Sequence, residues 1–216
     1  YYGARVQYLN NDFSHAIVRF FRAKEIAEEL GEHFWHGMAA RGIADIYYKS
    51  FNRAEQLKYA KEEFDNLSLA QRQPYLNYAL LDYATAIYNY GDYSSAVAFS
   101  RQIIDSADAY NDIFLKTDAL KLLGLAKIST SEFSSATLIF ENLLKSTLAN
   151  SSDSLYLCLA YVGDNKPILA KSLLSEISNG DPSLKLAASH RINEALGNYR
   201  DAFNDLNALY NSRDSI

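Results

Sequence analysis

The chain has 216 residues, of which 49% are hydrophobic and 22% charged, a composition typical of a folded protein rather than a disordered one. Its net charge is −5, from 21 basic and 26 acidic residues of interspersed sign, so nucleic acid is not expected as a ligand. No apolar run reaches the roughly 20 residues that a membrane-spanning helix needs, and we expect no membrane contact by this segment. The chain begins Tyr1-Tyr2-Gly3, without Met or a signal peptide, which predicts a fragment of a longer protein.

Six copies of a short motif, an aromatic residue followed three positions later by alanine, divide the chain. Successive anchor alanines are 38, 42, 40, 34 and 32 residues apart, a spacing that predicts helical repeats. The fifth copy is weaker because proline replaces the aromatic residue. The motifs begin at Phe13, Phe51, Tyr93, Phe133, Pro167 and Tyr199, and their anchors are Ala16, Ala54, Ala96, Ala136, Ala170 and Ala202.

Two further columns of residues accompany the motif and predict two antiparallel helices per repeat. A turn-forming residue stands two positions before the motif in every copy except the second, where Lys49 occupies the column, and it ends the first helix. A small residue stands twelve positions before five of the anchors, where it permits close approach of two helices. His190 is the exception. The small residues are Ala4, Gly42, Ala84, Gly124 and Cys158.

These columns resemble the tetratricopeptide repeat. The best copy has Leu120, Leu123, Gly124, Glu132, Phe133, Ala136 and Phe140 in the family's pattern. The resemblance implies an all-α, right-handed superhelix (a solenoid) of about six helix-turn-helix repeats that forms a single array over residues 1–216. The family's Trp and terminal Pro columns are largely absent and three spacings exceed 34 residues, so a related solenoid with irregular repeats also fits.

A search for catalytic and metal-binding patterns gives no enzyme and no cofactor. His33 and His36 lie one helical turn apart, but no third metal ligand accompanies them, so we expect a structural face rather than a metal site. No nucleophile elbow or phosphate-binding glycine loop occurs. Cys158 stands in the small-residue column, where burial is the expected state, and its thiol leaves a cytoplasmic and an extracytoplasmic location both open.

The first helix of each repeat should line an exposed groove, and its helical phase predicts which residues face outward. The residues that stand 7, 8, 11, 15 and 18 positions before each anchor alanine share that face. We expect these side chains to bind an extended or helical peptide, although the tyrosine rings among them could equally pack between repeats. The predicted groove residues are Arg5, Tyr8, His36, Tyr47, Tyr78, Tyr88, Asn89 and Lys121.

The pattern therefore predicts a non-catalytic module whose partner is a protein or peptide. The segment 209–216 resembles the junction of bacterial regulators in which such repeats precede a membrane helix, and the irregular, aromatic-rich repeats resemble bacterial ones. This resemblance implies the sensory part of a membrane-anchored regulator. A small-ligand-responsive domain is the alternative, acting by conformational change or by self-association, and a homo-oligomer is compatible with either.

Overall fold

A computed structural model describes residues 1–213, and all regular secondary structure within that range is α-helix. The twelve helices in this part of the chain form six consecutive pairs. They are α1 (Tyr2–Leu9), α2 (Phe13–Glu29), α3 (His33–Lys49), α4 (Arg53–Leu69), α5 (Gln73–Tyr90), α6 (Tyr93–Tyr110), α7 (Ile113–Ser129), α8 (Phe133–Leu143), α9 (Ser151–Gly163), α10 (Pro167–Glu176), α11 (Pro182–Ala195) and α12 (Tyr199–Arg213).

The chain folds as two compact units, the first ending at Lys116 and the second beginning at Thr117, within α7. In the first unit each helix from α1 to α5 packs against the next one in the chain. In the second unit α8 packs on α9, α10 on α9, and α11 on both α9 and α12. The predicted fold class, an all-α succession of paired helices, is confirmed. The single array over residues 1–216 stays a prediction.

The turn inside each helix pair is set by one residue in the left-handed backbone conformation. That region is costly for residues other than glycine, which is why asparagine and glycine dominate it. The next residue often caps the following helix, as in Asp92, whose side chain accepts a hydrogen bond from the backbone N–H of Ser95 at 3.0 Å. The left-handed residues of the six turns are Asn11, Phe51, Gly91, Ser131, Asn165 and Gly197.

The second repeat has a different register from the one that its sequence motif predicts. Phe51 occupies the left-handed turn position with φ of 58°, and Asn52 caps α4. Ala54 is consequently exposed, and Gln56 is the buried residue at the anchor position, 5% exposed. The anchors of the first four repeats are therefore residues 16, 56, 96 and 136, a constant spacing of 40 that matches α2 to α7, each 17 or 18 residues long.

Close helix approach at the small residues is confirmed. Ala4, Ala84 and Cys158 are buried. A Cβ atom placed on Gly124 would lie 2.6 Å from Cε2 of Phe140, far inside van der Waals contact. The ring of Phe140 fills this space and is fully buried, so the α7–α8 contact requires glycine at position 124.

The last turns of α12 contain residues 209–213, whereas residues 214–216 of the predicted junction lie outside the described part of the chain. Within the described part, no helix combines the length and the apolar character that crossing a membrane requires.

Candidate ligand-binding surface of the first unit

The predicted groove residues of the first repeat lie on α1 and are half-buried. Arg5 Nη1 is 3.4 Å from Oδ2 of Asp45 on α3, and its guanidinium carbon is 5.2 Å from the centre of the Tyr8 ring. That ring also packs against Phe13 at 5.5 Å between ring centres. Burial raises the pKa of Tyr8 above its ordinary value, so the phenol stays neutral. Arg5 thus connects α1 to α3.

His36 and Tyr47, the groove residues predicted for the second repeat, lie at the contact between α3 and α4 instead. His36 is 8% exposed, and its Nε2 is 2.6 Å from Oε1 of Glu62, which also accepts a 2.7 Å hydrogen bond from Lys24. Burial alone would raise the pKa of Glu62, but these two hydrogen bonds outweigh it and lower the pKa. Tyr47 stacks on Tyr59, with ring centres 5.7 Å apart.

The two-residue register difference explains this placement. Counting the groove positions back from Gln56 instead of Ala54 selects positions 38, 41, 45, 48 and 49, among them Arg41, Asp45 and Tyr48. All three are partly or fully accessible to solvent in the structure. These three residues are not among the groove residues predicted from the sequence. The signal that corrects the register is Asn52, a helix-capping residue like Asp12 and Asp92 at the start of α2 and α6.

The tyrosines predicted on α5 have partners within the first unit. The hydroxyl of Tyr78 is 3.4 Å from Oδ1 of Asp112, and the ring of Tyr88 lies 5.3 Å from that of Tyr93. Both tyrosines are half-buried. Packing of these rings accounts for much of their surface, while their remaining exposed area still faces solvent.

Lys121, the remaining predicted residue, belongs to the second unit. Its Nζ is 3.3 Å from Oδ2 of Asp153, a carboxylate that is 1% exposed. The same oxygen accepts a 2.8 Å hydrogen bond from the backbone N–H of Asn150 and so caps α9. Lys121 therefore neutralises the charge of a buried helix cap in the second unit.

A cavity of about 190 Å³ opens between α3, α4 and α5. Three carboxylates line it, of which Glu63 is almost fully buried, and the partly exposed ring of Tyr48 lines it as well. The lining residues are Ala44, Asp45, Tyr48, Gln56, Ala60, Glu63, Asp82 and Thr85.

Arg41 is the cation closest to these carboxylates. Its Nη2 is 3.0 Å from Oδ2 of Asp82, but its Nε is 3.9 Å from Oε1 of Glu63, beyond hydrogen-bonding distance. Burial, reinforced by the charge of Asp82, raises the pKa of Glu63 well above its ordinary value. Burial also raises the pKa of Asp82 to about 6 against the opposing charge of Arg41. Burial raises the pKa of Asp45 in the same way.

Polar and aromatic groups continue the surface from the cavity toward α4 and α5. Tyr48 is 46% exposed, and the guanidinium of Arg53 lies 5.1 Å from its ring centre. Arg53 Nη1 also donates to Oε1 of Gln56 at 3.2 Å, and Asn89 Nδ2 donates to the same oxygen at 3.4 Å. We name the following residues the first-unit surface: Arg5, Tyr8, Arg41, Asp45, Tyr48, Asp82 and Asn89.

No protein-family model and no curated protein matches the sequence. Similar solved structures, in contrast, identify the type of fold. A Podosopora anserina putative kinesin light chain with nearly identical TPR-like repeats superimposes with a TM-score of 0.66 at 16% identity, over 81% of this chain and 89% of that one. A variant of the same light chain gives 0.67. A Rap protein complexed with competence and sporulation factor gives 0.65 at 15% identity, over 100% of this chain and 74% of that one. The chain has the tetratricopeptide-type fold. In this fold the paired helices place one helix of each repeat on the same side as its neighbours. Here Arg5 joins α1 to α3 at Asp45, and Arg41 joins α3 to α5 at Asp82.

His33, His36 and Cys158 of this tetratricopeptide-type chain occupy structural positions. His33 Nδ1 is 3.2 Å from Oδ1 of Asn66, and His36 pairs with Glu62. Nowhere in residues 1–213 do three or more His, Cys, Asp or Glu side chains come together in a way that could hold a metal ion. Cys158 is fully buried, and burial raises the pKa of its thiol to about 12.

Proposed function

We propose that the first-unit surface binds a protein or peptide and that the chain is a non-catalytic interaction module. The observation that supports this most strongly is the grouping of partly exposed aromatic and charged side chains from α3 and α5 beside one cavity. Asp45 and Asp82 offer carboxylates, Tyr48 offers an exposed ring, and Asn89 offers an amide. Tyrosine and a few placed polar groups are the residues that protein interfaces favour.

The chemistry of this surface suits an extended peptide segment. An amide such as that of Asn89 can both donate to and accept from a peptide backbone, and Tyr48 can cover an apolar or cationic side chain. Carboxylates without a full set of donors select positive charge. The fold supports the same conclusion in general terms, because the Rap protein of similar fold is complexed with a factor.

Selection from a random peptide library displayed on phage tests the proposal. The wild-type chain should enrich a family of related peptides, and a double variant with Tyr48→Ala and Asn89→Ala should bind them at least about tenfold more weakly. A matched variant, Tyr110→Ala with Gln102→Ala, changes exposed residues on α6 and should bind them normally. Peptides that bind both double variants equally would place the interaction elsewhere, and no enrichment at all would contradict the proposed function.

We further propose that the module is the sensory part of a membrane-anchored bacterial regulator. The resemblance of segment 209–216 to a repeat-to-membrane junction supports this finer role. It predicts a hydrophobic helix of about 20 residues soon after position 216 in the parent chain. The gene sequence downstream of the codon for residue 216 tests this prediction. A parent chain that continues with further repeats or ends there would contradict the role.

A further inference from the structure

We propose that the cavity between α3, α4 and α5 binds a protonated nitrogen group, an ammonium or guanidinium, carried by a peptide. The inference rests on the proposed function and names the part of the ligand that this cavity recognises. Its three carboxylates are Asp45, Glu63 and Asp82, and the cation nearest to the last two is Arg41.

When all three carboxyl groups are ionised, they outnumber the cations beside the cavity. Arg41 pairs with Asp82 at 3.0 Å, and Arg5 pairs with Asp45 at 3.4 Å from the α1 side. These two cations face three carboxylates, which leaves Glu63 without a cation at hydrogen-bonding distance. One more positive charge in the cavity would complete the set.

Glu63 is the independent sign that a ligand group is expected here. Its side chain is 1% exposed, and neither of its carboxylate oxygens accepts a hydrogen bond from any group in residues 1–213. Buried polar groups in folded proteins are nearly always hydrogen-bonded, since leaving one unpaired costs about 1–3 kcal/mol, and more if it is charged. Glu63 is one of the residues that line the cavity. A donor that enters the cavity would satisfy it.

A nitrogen cation fits this environment better than an anion or a metal ion. An anion would be repelled by the carboxylates. Ca²⁺ requires six to eight oxygen ligands, and Arg41 already pairs with Asp82, one of the three carboxylates here. Ammonium and guanidinium groups bring several N–H donors together with the charge, so one group can serve two carboxylates at once. The ring of Tyr48 at the edge of the cavity attracts the same groups through its face.

Titration of short peptides into the ¹⁵N-labelled full chain, followed by NMR, tests the proposal. Acetyl-Ala-Arg-Ala-amide and acetyl-Ala-Lys-Ala-amide should give saturable shifts at residues 44–48, 60–63 and 82–85. The citrulline counterpart of the arginine peptide, which keeps its shape without the charge, should give none. Ala-Ala-Ala-amide carries its cation at the amino terminus, so shifts with this peptide alone would identify a terminal amine as the ligand group.

Two variants of the cavity and one matched control complete the test. Glu63→Gln and Asp82→Asn each remove one carboxylate and should weaken binding of the cationic peptide at least about tenfold. Asp65→Asn removes the same charge from an exposed site on α4, where it pairs with Lys61, and should leave binding unchanged. Circular-dichroism melts verify that each variant is folded.

Three outcomes would overturn the inference: equal shifts with citrulline, full binding by both cavity variants, or no saturation by any cationic peptide up to about 10 mM. The proposed function would survive them if library-selected peptides still lost binding to the Tyr48 and Asn89 double variant. Failure of the library selection would instead remove the function itself.

Discussion

Arg41 Nε lies 3.9 Å from Oε1 of Glu63, so this nearly buried carboxyl has a cation beside it but no hydrogen bond from it. Packing alone does not require a carboxyl at this position. A buried carboxyl without a hydrogen bond lowers the stability of the ligand-free protein, and such destabilising groups are common at ligand-binding sites. The cost should be measurable in the absence of any ligand.

We expect Glu63→Gln to stabilise the fold relative to wild type, increasingly so as the pH rises from about 5 into the neutral range. The pKa of Glu63 in the folded chain is raised above its ordinary 4.5, so above that pH the unfolded chain ionises more readily and the fold loses stability. Asp82, whose pKa is raised from 3.8 to about 6, adds a loss of the same sign that remains in the variant. The other group facing them is Asp45, whose pKa is raised as well, and Arg41 stays charged throughout.

Thermal melts of both proteins across this pH range measure the effect. Asp65→Asn serves as the control because it removes a charge from an exposed site, and its difference from wild type should not grow with pH. A constant gap between wild type and Glu63→Gln would mean that Glu63 is not penalised by burial.

Replacement of Gly124 by leucine should destabilise the second unit by about 3 kcal/mol or more. Even a single added carbon would meet the ring of Phe140, which is fully buried. Urea unfolding measures the change, with Ser135→Leu at an exposed site of α8 as the matched control. Unchanged unfolding of Gly124→Leu would disprove close approach of α7 and α8.

The register of the second repeat can be tested with one substitution made at two anchor positions of the motif. Ala54→Glu should change stability by no more than about 0.5 kcal/mol because the residue is exposed in the first turn of α4, where a negative charge is favourable. Ala96→Glu should cost several times as much because Ala96 is fully buried. Similar losses in the two melts would restore Ala54 as the buried anchor.

The thiol of Cys158 should resist labelling in the native chain. Its Sγ is 3.5 Å from the carbonyl oxygen of Ala170, and with a pKa of about 12 almost no thiolate forms near pH 8. Reaction with Ellman's reagent should be slow in buffer and fast in guanidinium chloride. Equal rates in the two solutions would show that α9 and α10 do not bury the cysteine.

The repeat pattern is readable from sequence because it depends on local chemistry. Asparagine or glycine marks most of the left-handed turns, and small residues such as Gly124 mark helix crossings. The second turn is predicted wrongly because Phe51, an aromatic residue, occupies the left-handed position with alanine three residues later. That two-residue error moves the predicted groove from Asp45 and Tyr48 to residues at the α3–α4 contact.

The acid cavity is beyond sequence reasoning for a different reason. Asp45, Glu63 and Asp82 are separated by 18 and 19 positions and lie on three helices, so only packing brings them together. Residue type alone does not distinguish Glu63 from Glu62, its neighbour in the chain. One has no hydrogen-bond donor and the other has two, because successive residues of a helix point about 100° apart.

Site-specific photo-crosslinking tests the central claim, that the first-unit surface binds the partner, most directly. A benzophenone amino acid would replace Tyr48 in one sample and Tyr110, exposed on α6, in another, and each would be irradiated with a library-selected peptide. We expect a covalent adduct from position 48, absent from position 110 and suppressed by excess unlabelled peptide. Crosslinking from position 110 with none from position 48 would contradict the account.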